Sequence, residues 1–327
     1  MKTNSKIKIG ILGGAGYTGG ELLRLLIHHP QATIAFVHSR SNAGKKISDL
    51  HTDLLGDTNL CFSETILTTI DVLFLCLGHG ESIKVLADLS LPKAIKIIDL
   101  SQDFRLHSTT EFPFVYGLPE LNKEAIQKAQ HIANPGCFAT AIQLALLPLA
   151  AQNLLHSEVH TTCTTGSTGA GQSLSASSHF TWRQNNLSVY KAFTHQHLRE
   201  ITKSLQQLQH FFTDTIVMIP QRGAFTRGIL ASTLLKSDKS LQELQAIYSE
   251  YYKDHPFVHL STQAIDLKQV VNTNKCILYL EKHQDTLLIV SILDNLLKGA
   301  SGQAVQNMNL LFGLDETTGL QLKATAF

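Results

Sequence analysis

Lys8-Ile9-Gly10-Ile11-Leu12-Gly13-Gly14-Ala15-Gly16-Tyr17-Thr18-Gly19 carries a short apolar run into a segment with apolar residues at helical spacing. The Gly10-x-x-Gly13-x-x-Gly16 spacing differs slightly from the GxGxxG dinucleotide fingerprint, but the physics is shared. Glycines permit a tight turn, let the backbone approach a pyrophosphate, and aim helix N-terminal amides at its charge. The position matters as much as the spacing, because the loop lies between the first strand and first helix of a βαβ pattern. Gly10, Gly13, Gly14, Ala15, Gly16, Tyr17, Thr18 and Gly19 are therefore the candidate cofactor-binding residues.

Outward from this loop, short apolar runs alternate with helical patterns. Ile7 to Leu12, Thr33 to His38, Asp71 to Leu77, Ala94 to Leu100 and His131 to Ala133 read as strands. Gly19 to His29 and Glu81 to Leu89 read as helices. Such alternation predicts a Rossmann-type, doubly wound parallel sheet with right-handed crossovers. From about Glu158 the texture changes to threonine- and β-branched-rich runs: Val159 to Thr165, Thr215 to Ile219, Gly228 to Leu235, Cys276 to Glu281 and Thr286 to Leu293. These predict an α+β domain with a mostly antiparallel sheet, one face covered by the amphipathic stretches Gln196 to Leu208 and Leu241 to Tyr252. A final helical pattern, Gly302 to Phe312, is expected to pack back on the first domain. The expected boundaries are 1–137 with 302–327 for the nucleotide domain and 138–301 for the second, catalytic and oligomerisation domain.

The end of the second strand refines the cofactor. NAD-binding folds place an acidic residue there to accept from the ribose 2′-hydroxyl. Here the chain reads Val37-His38-Ser39-Arg40-Ser41. A guanidinium fork beside hydroxyls suits a 2′-phosphate, so Ser39 and Arg40 favour NADP(H) over NAD(H).

Composition narrows the remaining classes. The 27 basic and 26 acidic side chains nearly cancel, with no block of like charge, so neither a nucleic-acid nor a membrane partner is expected. No run approaches the roughly 18 apolar residues of a membrane span, and the polar start from Met1 to Ile7 is unlike a signal peptide. Five cysteines without a CxxC fit reduced thiols better than a disulfide framework, so the protein is expected in the cytoplasm. Four of them, Cys61, Cys76, Cys163 and Cys276, sit in strand-like surroundings typical of small buried hydrophobes.

Cys137 differs. Ala133-Asn134-Pro135-Gly136-Cys137-Phe138-Ala139-Thr140 places the thiol just after a Pro-Gly turn and at the start of an apolar helical run to Leu149. The positive end of a helix dipole favours the thiolate, which is the nucleophilic form. A thiolate nucleophile needs a proton-transfer partner. Thr194-His195-Gln196-His197-Leu198-Arg199-Glu200 supplies a close histidine pair at a strand-to-helix junction. Glu200, three residues after His197, shares its helical face and is placed to orient the imidazole. The pair could also ligate zinc, but third and fourth ligands are lacking at a recognisable spacing, so no metal is expected.

These residues resemble the N-acetyl-γ-glutamyl-phosphate reductase family over most of the chain. The specific strings are Asn134-Pro135-Gly136-Cys137 and Tyr116-Gly117-Leu118-Pro119-Glu120-Leu121-Asn122. Asp99-Leu100-Ser101-Gln102-Asp103-Phe104-Arg105, Gly166 to Gly171, the His195/His197 segment and Asp294-Asn295-Leu296-Leu297-Lys298-Gly299 extend the match. The resemblance implies a glyceraldehyde-phosphate dehydrogenase-like fold and an NADPH-dependent reduction of an N-acyl-γ-glutamyl phosphate in arginine biosynthesis. It implies Cys137 as the nucleophile that forms a thioester, and His197 as the acid/base. His195, Arg105 and Asn134 become candidate substrate contacts, with Arg105 on the departing phosphate or, equally, in an ion pair with Asp103. Gly169 and Asn295 become candidate cofactor contacts, with Lys298 near them. A homo-oligomer, dimer or tetramer, follows by analogy.

Two departures stand out. The family often has aromatic-Pro-Thr after the cysteine, where this chain has Phe138-Ala139-Thr140. It also commonly has Pro-Met-Asn-Arg-Gly before a strand, where this chain reads Ile219-Pro220-Gln221-Arg222-Gly223-Ala224-Phe225-Thr226-Arg227-Gly228. Two arginines there would suit a larger, anionic N-acyl group such as succinyl instead of acetyl. The competing expectations are an aspartate-type semialdehyde dehydrogenase and a non-catalytic NADP(H) sensor.

Overall fold

In the computed structural model, which describes residues 6–106 and 112–326, the chain forms two compact units, Met1–Pro135 with Ala300–Gln321 and Gly136–Gly299 with Leu322–Phe327. The last residues thus pack with the second unit, whereas the sequence pattern places them in the first. Thr325 N–H donates to the Val271 carbonyl at 3.4 Å and Asn272 Nδ2 to the Lys323 carbonyl at 3.3 Å.

The first unit runs β1 (Ile7–Leu12), α1 (Tyr17–Leu26), β2 (Ala32–His38), β3 (Phe62–Ser63), β4 (Val72–Leu75), α2 (Glu81–Asp88), β5 (Lys96–Asp99), β6 (Phe114–Tyr116), α3 (Pro119–Lys128) and β7 (His131–Ala133). Its seven strands lie in the order β3-β2-β1-β4-β5-β7-β6, and every pairing is parallel. The order reverses at β1, between β2 and β4. That switch point opens a crevice at the carboxyl ends of the strands, directly where the glycine loop leaves β1. Ile9, Ile11, Val72, Phe74 and Ile98 have no exposed surface, as expected of strands buried on both faces. The short strands β3 and β6 and helix α3 are additions that the sequence pattern does not signal. The C-terminal helix, Gly302–Leu311, contacts α1, α3 and β5 of this unit.

The second unit begins with α4 (Cys137–Ala151) and β8 (Val159–Thr165), followed by α5 (Phe180–Arg183), β9 (Ser188–Val189), α6 (His197–Leu208), β10 (Ile216–Arg222) and β11 (Ile229–Lys236). It continues with α7 (Leu241–Tyr252), β12 (Val258–Ser261), β13 (Cys276–His283) and β14 (Thr286–Leu293). The mixed sheet has the order β12-β13-β14-β11-β8-β10-β9, with four antiparallel pairings and two parallel ones, β8 with β10 and β12 with β13. Alternation along β8, β11 and β13 buries one face against α4, which also touches α6 and α7.

Helix α4 is buried continuously from Phe138 to Ala150, as befits a helix apolar on all sides. Its interior Pro148 has no amide to give the Leu144 carbonyl four residues earlier. Buried carbonyls must find a donor, and here Tyr252 donates its hydroxyl to Leu144 O while Tyr248 serves Ala145 O. Two tyrosines of α7 therefore brace the helix that carries the thiol.

Candidate active site

In the first unit, the glycine loop turns where the sequence places it. Gly13 has φ +77°, and a Cβ on it would sit 2.3 Å from the Cys76 carbonyl oxygen, so only glycine fits. Gly14 N–H donates to His38 O at 3.3 Å, tying the loop to the end of β2. His51 Nε2 meets Gly14 O at 2.8 Å from the other side. The sequence carries no local signal for that contact, since 37 residues separate the pair. Gly16 is the N-cap of α1 and offers no side-chain cap, and the first turn of the helix holds no acidic residue. Uncapped first-turn amides of this kind are what a pyrophosphate takes up. At the end of β2, Arg40 is exposed, and the Ser39 hydroxyl accepts from Asn42 Nδ2 at 3.3 Å. Burial, then the charge of Arg40, holds the His38 imidazole below its ordinary pKa.

Arg105 and Asn134 also belong to this unit, and both are buried. Arg105 Nε donates to Asn134 O at 2.9 Å and Nη2 to Leu100 O at 3.0 Å. Asp103 instead accepts from Gly80 N–H at 2.7 Å and Ile83 N–H at 3.3 Å. The Asn134 amide is engaged at both ends: Nδ2 donates to Ala300 O and Oδ1 accepts from Asn307 Nδ2, each at 3.0 Å. Arg105 and Asn134 thus clamp the backbone that leads toward the Pro-Gly turn.

In the second unit, Cys137 is the first residue of α4, and Gly136 is its N-cap. The N-cap offers no side chain, and the structure replaces it from afar. Glu200, 3% exposed, accepts the Gly136 N–H on Oε2 at 3.0 Å, while its Oε1 lies 3.9 Å from His197 Nε2. One carboxylate therefore holds the cysteine turn and lies within ion-pair range of the histidine. His195 and His197 pack ring to ring at 4.6 Å, against Phe138 at 5.6 and 6.3 Å. His195 Nδ1 accepts the His197 N–H at 3.3 Å, so that nitrogen carries no proton. In agreement, burial and then the charge of Lys191 bring the His195 pKa down to about 4, against an opposing pull from Glu200. His195 is thus a neutral imidazole, and His197 is the one coupled to a carboxylate.

Two other cysteines are held as thiols, whereas Cys61, expected to be buried, is exposed. Burial raises Cys76 to about 12 and pushes Cys163 up further, with the neighbouring Cys137 charge acting in the same direction on Cys163. Gly299 is a contributor the sequence does not single out: a Cβ there would sit 2.8 Å from Cys137 Cβ. Asn295 is buried, with Oδ1 accepting Gly228 N–H at 2.8 Å and Nδ2 donating to Thr168 Oγ1 at 3.0 Å. It ties the start of β11 to the Ser167–Ala170 turn, in which Gly169 is exposed. Lys298 is fully buried, with its Nζ 5.8 Å from the Phe257 ring, and is not a solvated charge.

The two arginines of the divergent segment separate. Arg227 makes a two-pronged ion pair with the fully buried Asp294, Nε to Oδ2 at 3.0 Å and Nη2 to Oδ1 at 3.2 Å, and so belongs to the framework. Arg222 instead lies over the Tyr190 ring, 4.6 Å from its centroid. Among the described residues no group of three or more His, Cys, Asp or Glu could hold a metal ion. No helix among them is long and apolar enough to cross a membrane.

Residues 8–129 match the family description "Semialdehyde dehydrogenase, NAD binding domain", and residues 137–295 match "Semialdehyde dehydrogenase, dimerisation domain". Glycine loop, helix-initial thiol and both matched domains make the chain an oxidoreductase of the semialdehyde dehydrogenase class. Aspartate semialdehyde dehydrogenase II from Vibrio cholerae shares the fold with TM-score 0.73 at 16% identity, covering 94% of this chain and 99% of that one. The same enzyme type with NADP from Candida albicans gives 0.69 at 15% identity, with 94% and 99% covered. Much nearer in sequence are proteins named N-acetyl-gamma-glutamyl-phosphate reductase. Those from Azobacteroides pseudotrichonymphae and Parabacteroides distasonis are 60% and 57% identical over 98% of this chain and all of theirs. The one from Flavobacterium johnsoniae is 57% identical with the same coverage. The chain belongs to the N-acetyl-gamma-glutamyl-phosphate reductase family.

Proposed function

We propose that this protein reduces an N-acyl-γ-glutamyl phosphate to N-acyl-glutamate 5-semialdehyde, with NADPH as reductant and phosphate as leaving group, as a step of arginine biosynthesis in the cytoplasm. The observation that carries the reading is the Cys137–Gly136–Glu200–His197 arrangement. It holds a helix-initial thiol and a carboxylate-coupled imidazole on one buried acid.

The residues supply the chemistry as follows. The first-turn amides of α4 favour the Cys137 thiolate, whose Sγ attacks the γ-acyl carbon. The acyl C–O bond breaks, phosphate departs with the electron pair, and a Cys137 thioester remains. NADPH, when bound, supplies the hydride that reduces this thioester. His197 gives a proton to the developing oxyanion and takes it back as the hemithioacetal collapses to aldehyde and Cys137 thiolate. Glu200 stabilises the imidazolium form of His197 before the first transfer and after the second. For the cofactor, the side-chain-free cradle at Gly13 and the uncapped α1 amides fit a pyrophosphate, and Ser39 with exposed Arg40 fits a 2′-phosphate. Arg105 and Asn134 act in this reading by holding the backbone before the nucleophile, and His195 by packing against His197.

A homo-oligomer is part of the same reading. The sheet face of the second unit opposite α4 presents Leu230, Ile277, Tyr279, Leu288 and Val290 half-exposed and Leu234 42% exposed, within the segment matched as a dimerisation domain. Light scattering that returns a monomer would refute it. For the reaction, the test is phosphate-dependent reduction of NADP⁺ by N-acyl-glutamate semialdehydes, on wild type and Cys137→Ser. Activity that requires phosphate and vanishes in the variant is expected. Turnover that persists without the thiol would overturn the mechanism.

A further inference from the structure

Arg222 ends β10 at the register position opposite Thr165 of β8, and its side chain is half-buried. Its guanidinium stacks on Tyr190, whose ring lies 5.9 Å from that of His195. His195 in turn packs on His197 and on Phe138, the residue after the nucleophile. Arg222 is therefore one aromatic ring away from the histidine pair. Burial and then the charge of Cys137 raise the Tyr190 hydroxyl above its ordinary range, against the charge of and a hydrogen bond with Arg222.

Among the described residues the guanidinium has no counter-ion. Its Nε is buried and donates to nothing, and no carboxylate of the described residues pairs with it. A cationic neighbour, Arg183, is satisfied by backbone: Nη1 donates to Arg222 O at 2.6 Å, and Nη2 to Ser177 O at 3.2 Å. Burial, followed by the charge of Arg222, lowers the Arg183 pKa. Lys191 adds a third positive charge next to His195. Glu200, the acid that acts on His195, is engaged with Gly136 and His197. A buried donor left unmade costs about 1–3 kcal/mol, and like charges gathered near the histidine pair favour an anion. Stacking on Tyr190 and the hydrogen bond with its hydroxyl hold the guanidinium, and the unused Nε–H is left for a carboxylate oxygen.

We propose that Arg222 is the substrate-carboxylate receptor of this enzyme and a determinant of which N-acyl-glutamyl substrate it accepts; the inference rests on the reaction proposed above. Two carboxylates share the chemistry: the α-carboxylate of the glutamyl skeleton and a terminal carboxylate on the acyl group, present in succinyl and missing in acetyl.

The experiment measures phosphate-dependent NADP⁺ reduction with N-acetyl- and N-succinyl-glutamate semialdehyde on wild type, Arg222→Leu and Arg222→Lys, with melting temperatures as a folding control. A lost charged hydrogen bond predicts a rise in semialdehyde KM of roughly 10- to 100-fold in Arg222→Leu. Arg222→Lys keeps the charge without the fork and should fall between, which preserves the test if the leucine variant folds poorly. KM values for phosphate and NADP⁺ should stay within about 3-fold of wild type. An equal rise for both semialdehydes assigns the α-carboxylate. A rise confined to the succinyl substrate, with loss of the wild-type preference for it, assigns the acyl terminus. Unchanged semialdehyde KM, or a rise only in the phosphate KM, overturns the proposal. A wild type that turns over neither semialdehyde while still binding NADPH overturns the reaction itself, and with it this inference.

Discussion

Replacing Glu200 by glutamine separates the two tasks assigned to that side chain. The amide oxygen can still accept the Gly136 N–H now bound at 3.0 Å, so the cysteine turn should persist. What disappears is the negative charge 3.9 Å from His197 Nε2. At an effective dielectric of about 20, that separation corresponds to about 4 kcal/mol between full charges. His197 carries its charge before the first proton transfer and after the second but not between them, and the amide dipole offsets part of the loss. A net cost of about 1.5–3 kcal/mol at the transition state remains, or roughly 10- to 100-fold in kcat. The assay is the phosphate-dependent reverse reaction, with initial rates over a range of both substrates. The fall should appear in kcat, with both KM values nearly unchanged, because Glu200 touches neither substrate nor cofactor in this scheme. Glu200→Ala should lose more, since Gly136 N–H would be left buried without its acceptor, and the alkylation rate of Cys137 by iodoacetamide should drop with it. A Glu200→Gln enzyme with wild-type kcat would refute the reasoning, whatever its stability.

Further outcomes are expected elsewhere. Gly299→Ala should disturb the nucleophile more than the fold: the new Cβ must move from within 2.8 Å of Cys137 Cβ, which costs about 1–3 kcal/mol. Activity should fall by at least about 10-fold while the melting temperature shifts by only a few degrees; a fully active variant would show that the contact relaxes freely. Arg227→Leu should destabilise the protein by about 3 kcal/mol in urea titrations, because it leaves the fully buried Asp294 without its cation; a loss under 1 kcal/mol would contradict a structural role. Stability should also decline as pH falls. His195, 5% exposed, binds its proton at about 4 in the fold and at the ordinary 6.5 when unfolded. Between those values the unfolded chain holds the extra proton, so stability is present above about pH 6.5 and lost progressively toward pH 4, by up to about 3 kcal/mol from this group. His29, His131 and His259 are lowered by burial as well and act with the same sign. A His195→Gln variant should flatten that slope, and an unchanged slope would remove His195 as its source.

The division between what was legible in the chain and what was not follows the range of the forces involved. The glycine loop and its switch-point strand, the apolar α4, and the thiol at its first turn are local features. Steric limits on φ at Gly13, the 3.6-residue period and the amides of a helix start all act within a few residues, so the sequence alone determined them. The His197/Glu200 spacing was legible for the same reason, as one turn of helix. Which atoms those side chains meet was decided only by the tertiary structure. Glu200 finds Gly136 across 64 residues, Asn134 loses its amide to Ala300 and Asn307, and Gly299 brings bare backbone against the nucleophile. Arg222 and Arg227 show this most plainly, since five positions apart in one segment they look alike in sequence. Packing gave Asp294 to Arg227 and left Arg222 stacked on Tyr190 without a counter-ion among the described residues, because a buried charge takes its role from the partner the fold places beside it.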